Sequence, residues 1–146
     1  MEKGEEAKVC SLVEKVFNEF VAPDYGMEGI REFFRFADPL AMAGRAGPEQ
    51  VVMVAVQGSD PVGMIEMRSC EHIALLFVSD RGRGIARELV GRAVGECRKR
   101  RPELKRITVN SSPFAEPVYS RMGFRQTGSI QEKNGITFVP MALDLE

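Results

Sequence analysis

The chain has 146 residues, of which 44% are hydrophobic and 28% charged, and its 20 basic residues nearly balance 21 acidic ones. This length and composition predict one globular domain, 1–146, that is large enough to bury a core without disulfide bonds. The net charge of −1 argues against a dedicated nucleic-acid-binding protein. No apolar run approaches the ~20 residues that cross a bilayer, which argues against a membrane protein.

The chain start and the cysteines point to a cytoplasmic protein. The N-terminal sequence MEKGEEAK lacks the basic start and apolar segment of a secretory signal. Cys10, Cys70 and Cys97 are widely spaced, form no CxxC pair and are accompanied only by His72. They predict neither a zinc site nor a disulfide framework, so free thiols in a reducing compartment are the simplest interpretation.

The first half of the chain changes from helical to strand periodicity, which predicts two helices, a loop and a three-stranded antiparallel meander. The predicted bounds are 5–21 and 27–37 for the helices, 38–49 for the loop, 50–67 for a hairpin and 72–78 for the third strand. Pro23 ends the first helical pattern.

The second half alternates helices and strands. The predicted elements are a helix at 84–101, a strand at 104–110, a short helix at 112–122, and strands at 124–130 and 136–145. Pro117 lies inside the short helix, so either the regular helix begins near it or the first turn is irregular. Gly123 is the expected residue after that helix, and Asn134-Gly135 is a favoured hairpin turn.

The order of elements predicts the fold class. Strand 72–78, helix 84–101 and strand 104–110 form a β-α-β crossover, so these two strands should be parallel. The other strands should pair antiparallel. The prediction is an α/β (α+β) fold with a mixed, mostly antiparallel sheet.

The junction after strand 72–78 carries the clearest chemical signal. Gly82 and Gly84 let the backbone approach a ligand at a helix N-terminus, and Arg81 and Arg83 add positive charge. This combination is typical of a phosphate or diphosphate site. The alternative is an ordinary strand-to-helix turn whose glycines only form the corner, since neither a Walker A loop nor a complete GxGxxG motif is present.

The segment from Arg81 to Ala86 resembles the R/Q-x-x-G-x-G/A signature of the GCN5-related N-acetyltransferases (GNAT). The later segment from Asn110 through Tyr119 to Gly123-Phe124 is similar to the strand and helix that follow in this family. The resemblance covers 50–145. The last position of the signature is Ala86, where many members have Gly, and the chain departs from the family in having a shorter link between the strand and the glycines.

The resemblance implies a GNAT acetyl-CoA N-acyltransferase fold and an acetyl-CoA-dependent N-acetyltransferase. By position, the diphosphate cradle would be Arg81, Gly82, Arg83, Gly84, Ile85 and Ala86. The pantetheine arm would pair with Leu76, Phe77 and Val78, which resembles the addition of a strand to a sheet edge. Asn110 would contact the pantetheine amides from the neighbouring, diverging strand.

Direct attack of an amine on a thioester needs a base for the amine and an acid for the leaving sulfur. The resemblance implies Tyr119 as the acid; the alternative is a tyrosine that only packs. It implies His72 as the base, with His72, Ala74, Leu76 and Val78 on one strand face. A half-exposed histidine without a catalytic role is the alternative interpretation.

Other carboxylates and aromatic residues complete the set of candidates. Glu66 and Glu71 are alternative bases, although a solvated role is the simpler interpretation of each. Phe33, Phe34 and Phe36 either line an acceptor pocket or are buried in helix packing. The resemblance implies a small-molecule or peptide amine as acceptor and leaves a homodimer open. The alternative function is a CoA-binding or regulatory module on the same fold without catalysis.

Overall fold

The computed structural model describes residues 6–18, 50–58, 60–79, 84–133 and 135–145. The predicted helix 27–37 and loop 38–49, with Phe33, Phe34 and Phe36, lie outside the described residues. The described helices are α1 (Glu6–Val16), α2 (Ile85–Arg100) and α3 (Glu116–Arg121). The described strands are β1 (Val51–Gln57), β2 (Asp60–Arg68), β3 (His72–Val78), β4 (Arg106–Ser111), β5 (Arg125–Gln126), β6 (Gln131–Lys133) and β7 (Ile136–Asp144).

The strands form one mixed sheet in the order β1-β2-β3-β4-β7-β5, with β6 paired to β7. The meander β1-β2-β3 is antiparallel, and β3 and β4 are parallel neighbours. The predicted fold class, meander and crossover are therefore confirmed. A crossover of this kind requires a connection long enough to return along the sheet, and α2 provides it.

Two apolar cores lie on opposite faces of the sheet. Helix α1 packs on one face, against Met64, Leu75 and Phe77 of β2 and β3. Helix α2 packs on the other face through a stripe that includes Leu89, Val90, Ala93 and Cys97, at the three- and four-residue spacing of an amphipathic helix. We call these the α1 face and the α2 face.

Helix α3 begins at Glu116, with Pro117 in its first turn. This confirms that the regular helix starts near Pro117, because a proline at the first helical positions removes an N–H that has no partner in the helix. Gly123 follows with φ of 100°, the left-handed conformation predicted for the residue that ends the helix.

The predicted strand 124–130 is wrong in its extent. Only Arg125 and Gln126 pair with β7, and a separate strand, β6, forms the hairpin into β7. The break lies opposite Pro140 of β7. The Pro140 carbonyl accepts the Thr127 N–H at 2.9 Å, so this residue directs its main-chain groups toward the 124–130 segment. Because a strand residue directs its N–H and C=O to the same side and proline has no N–H, one donor is missing from this edge of β7.

Helix α2 approaches β2 closely at Gly63. A Cβ at that position would lie 3.0 Å from Ile85 Cγ2 and 3.1 Å from Leu89 Cδ1. A side chain on β2 would therefore push the first turn of α2 away from the sheet. The missing side chain fixes where the N-terminus of α2 lies relative to β3.

We expect Gly63→Ala to lower the free energy of unfolding by roughly 1–3 kcal/mol, the usual cost of overpacking. The matched control is Gly91→Ala in α2, where a Cβ would meet nothing within 4 Å. That change should raise the free energy of unfolding by about 0.5–1 kcal/mol. Urea denaturation measures both, and equal effects of the two substitutions would contradict the packing argument.

Candidate active site

Strands β3 and β4 part after a very short ladder. Their register holds His72 opposite Thr108 and Ile73 opposite Val109, and across these two fully described strands no further pair follows. From Ala74 to Val78 the β4-facing edge of β3 therefore lacks a β4 partner. The gap opens at the end of β3 that leads into α2.

A β-bulge in β3 coincides with the point of separation. Glu66 on β2 is opposite Leu75 and Met67 is opposite Ile73, so Ala74 is an extra residue without a partner on β2. A bulge bends its strand and increases the local twist. This bend directs the second half of β3 away from β4.

The bulge also changes which face each side chain occupies. Ile73 belongs to the core of the α2 face, whereas Leu75 and Phe77 belong to the core of the α1 face. The prediction that His72, Ala74, Leu76 and Val78 share one face is therefore wrong. Leu76 and Val78 pack against the core of the α2 face. Because neighbouring strand residues point to opposite faces and Ile73 points to the α2 face, the His72 side chain lies on the α1 face.

The α2 N-terminus follows β3 in the chain. Gly84 precedes the helix with φ of 71°, and no described side chain forms a cap hydrogen bond at this end of the helix. The first helical bond runs from the Glu88 N–H to the Gly84 carbonyl at 3.0 Å. The N–H groups of Ile85 and Ala86 consequently have no partner within the helix. Arg81, Gly82 and Arg83 lie outside the described residues.

Asn110 lies on β4 beyond the last pair with β3. It is exposed and is opposite Pro140 of β7. Its side chain has the same orientation as that of Thr108, because side chains two residues apart in a strand share a face. Asn110 and Thr108 therefore lie on the same face of the sheet, with Asn110 beside the gap.

His72 lies where the gap begins. Its Nδ1 is 2.8 Å from Thr108 Oγ1. Burial, and secondly the positive charge of Arg68, lower the pKa of His72 from 6.5, while Glu71 acts in the opposite direction. The imidazole is thereby biased toward its neutral, basic form at neutral pH.

The two alternative carboxylates differ sharply in environment. Glu66 is 1% exposed and accepts a hydrogen bond at 3.2 Å from Gln50 Nε2, so the solvated interpretation of this residue is wrong. Glu71 does remain largely exposed, and its carboxylate lies 3.5 Å from Arg101.

Tyr119 is 4% exposed and belongs to the core of the α2 face. Its ring meets Phe124 in an edge-to-face contact with centroids 5.2 Å apart. Burial raises the pKa of the Tyr119 hydroxyl above its usual value of 10.0. The phenol is thus held in the protonated form that an acid requires.

Other site classes find no support in the described ranges. Within 6–18, 50–58, 60–79, 84–133 and 135–145, no cluster of three or more His, Cys, Asp or Glu side chains is arranged to hold a metal ion. In the same ranges, no helix combines the length and apolar character needed to cross a membrane. The described cysteines Cys10, Cys70 and Cys97 are all buried.

A family model for the acetyltransferase (GNAT) domain matches residues 21–145. The chain belongs to the GNAT acetyltransferase family. Family membership gives it the class of N-acetyltransferase and acetyl-CoA as cosubstrate. The resemblance drawn from the sequence is confirmed. The sequence has no match among the curated proteins.

Solved GNAT structures share this fold along nearly the whole chain. A GCN5-related N-acetyltransferase from Rhodopseudomonas palustris is 20% identical, with a TM-score of 0.83 over 99% of this chain and 92% of that one. The PaiA N-acetyltransferase of Thermoplasma acidophilum, solved with coenzyme A, is 13% identical, with a TM-score of 0.79 over 99% and 96%. An aminoglycoside 6′-N-acetyltransferase complexed with coenzyme A is 15% identical, with a TM-score of 0.68 over 98% and 92%.

We expect Gly84→Ala to weaken acetyl-CoA binding by roughly tenfold. A Cβ would find open space there, but the left-handed backbone costs an L-residue about 1–2 kcal/mol, which relaxation would relieve by moving the helix N–H groups. Gly95→Ala, in the open middle of α2, is the matched control and should bind normally. Calorimetric titration compares the two, and unchanged affinity of Gly84→Ala would contradict a role of this turn.

Proposed function

We propose that the chain transfers the acetyl group of acetyl-CoA to an amine by direct attack. The observation that carries the proposal is the separation of β3 from β4 at a bulge, next to a helix N-terminus where no described side chain forms a cap hydrogen bond. A strand edge that β4 does not pair with, and helix N–H groups without a partner in their own helix, are complementary to an amide-bearing arm that ends in a diphosphate. Family membership agrees with this ligand.

The cradle and the strand edge have separate tasks. The main-chain N–H groups of Ile85 and Ala86 would hold the diphosphate, joined by Arg81, Gly82, Arg83 and Gly84. The β3 main chain over Leu76, Phe77 and Val78 would pair with the pantetheine amides, and Asn110 would bind them from β4. Four strand steps separate Val78 from Ala74, or about 13 Å, so an arm anchored at the cradle is led toward the start of the gap.

The thioester is the activated acyl donor that acetyl-CoA supplies when bound. His72 would accept a proton from the attacking amine, and its lowered pKa keeps it neutral for this role. Tyr119 would donate a proton to the departing sulfur. The two residues belong to opposite faces of the sheet, and a gap within the sheet would give groups on both faces access to one reaction centre.

Acetyl-CoA binding followed by thioester cleavage tests the proposal. The protein is titrated with acetyl-CoA in a calorimeter and then assayed with aminoglycosides, small diamines, peptide N-termini and lysine peptides. Binding together with acetylation of one amine class supports the proposal. Binding without turnover across the panel would favour the regulatory CoA-binding module, and absence of binding at millimolar acetyl-CoA would refute both.

Replacing Tyr119 by phenylalanine should lower kcat about 10²-fold, the usual contribution of a positioned acid. The ring and its contact with Phe124 remain, so acetyl-CoA affinity and the unfolding midpoint should not change. Phe124→Leu is the opposite control, because it removes the edge-to-face contact and leaves the hydroxyl. It should lower stability far more than kcat. Full turnover of Tyr119→Phe would remove Tyr119 as the acid.

We expect kcat/KM to fall as the pH drops through a midpoint below 6.5, because the free base of His72 is lost there. His72→Gln should lower kcat/KM about 10²-fold and abolish this acid limb. Arg68→Gln should move the midpoint upward, since the Arg68 charge lowers the pKa of His72. An acid limb that persists unchanged in His72→Gln would assign the base to another residue.

A further inference from the structure

His72 forms a short chain of polar contacts with the neighbouring strand. Its Nδ1 lies 2.8 Å from Thr108 Oγ1, and the Thr108 hydroxyl is placed to donate to the Glu71 carbonyl at 3.5 Å. The Thr108 N–H donates to that same carbonyl at 2.8 Å, which fixes β4 against the start of β3. Thr108 was not singled out by the sequence, where only its position two residues before Asn110 connects it to the site.

We propose that Thr108 is a positioning residue that holds His72 in the tautomer with the proton on Nδ1, leaving Nε2 as the base. This inference rests on the proposed function of His72. A neutral imidazole has one donor and one acceptor nitrogen, and the partner of one nitrogen decides the role of the other.

Proton uptake by His72 favours this tautomer. When Nε2 takes a proton from the amine, both ring nitrogens carry hydrogen and both must donate. Thr108 Oγ1 then has to accept from Nδ1, so its own hydrogen must point elsewhere, and the Glu71 carbonyl accepts it. If Thr108 already accepts a hydrogen bond from Nδ1 before the reaction, the hydrogen bonds from His72 through Thr108 to the Glu71 carbonyl need no reorganisation when the proton arrives.

The charges around the ring are consistent with this arrangement. Arg68 of β2 is opposite His72, and Glu71 adjoins it, with the Glu71 carboxylate held by Arg101. On β4, Arg106 shares the strand face of Thr108 and is bound by Asp144. The residues that α1 buries against this face are apolar. The Glu71 and Asp144 carboxylates are thus each paired with an arginine, and among the described residues the group within hydrogen-bond distance of the ring is the Thr108 hydroxyl.

The test uses the fact that His72 is the sole histidine of the chain. In tag-free, ¹⁵N-labelled protein, a long-range ¹H–¹⁵N correlation spectrum reports the tautomer of this one ring. We expect the wild type to carry the proton on Nδ1 above the pKa of His72. Thr108→Val should shift the ring toward the other tautomer and lower kcat roughly tenfold or more. Thr108→Ser, which keeps the hydroxyl, should restore both properties.

Further measurements separate the possible failures. Thr127→Val, a change at an exposed threonine, should alter neither the spectrum nor kcat. Unfolding midpoints show whether Thr108→Val folds normally, and Thr108→Ser tests the hydroxyl if it does not. A wild-type proton on Nε2, or a tautomer that Thr108→Val leaves unchanged, would overturn the positioning role alone. Full turnover of His72→Gln would overturn the assignment of the base and this inference together.

Discussion

The separation of β3 from β4 at Ala74 is the constraint on which the site depends. If these parallel strands paired along their whole length, the main-chain groups of β3 would be satisfied within the sheet and no ligand could use them. The two-pair ladder and the extra residue prevent this. Another chain of amides that fills the gap can form the main-chain hydrogen bonds that the missing ladder leaves open.

The same bulge explains how one strand serves two cores. Burial alternates along β3 as in an ordinary half-buried strand, yet Ile73 contributes to the core under α2 and Leu75 to the core under α1. Because both cores hold β3, neither half of the strand can rotate to resume pairing with β4. Gly63 contributes from the side of α2, where the close approach of Ile85 keeps the helix N-terminus beside the end of β3.

Periodicity and breaker residues predicted most of the elements because those signals are local. Strand 72–78, the antiparallel meander and the parallel pair needed only apolar patterning and the crossover rule. The bulge could not be predicted, because Ala74 occupies a regular place in the alternation and only its missing partner on β2 identifies it. The extent of β5 was predicted wrongly for a different reason. The ladder between β5 and β7 is interrupted by Pro140 of β7, which lies about fourteen residues after Gln126 in the sequence.

The same limit applies to the candidate base. The sequence offers His72 as the candidate base with Glu66 and Glu71 as alternatives, and only tertiary packing decides among them. Glu66 is buried with Gln50 as a hydrogen-bond partner, and Glu71 is exposed and near Arg101, so each carboxylate is committed to a contact away from the gap. His72 alone stands opposite β4 at the last pairs before the strands part. A base is useful only within reach of the reacting amine, which makes this position the stronger argument for His72 than its residue type.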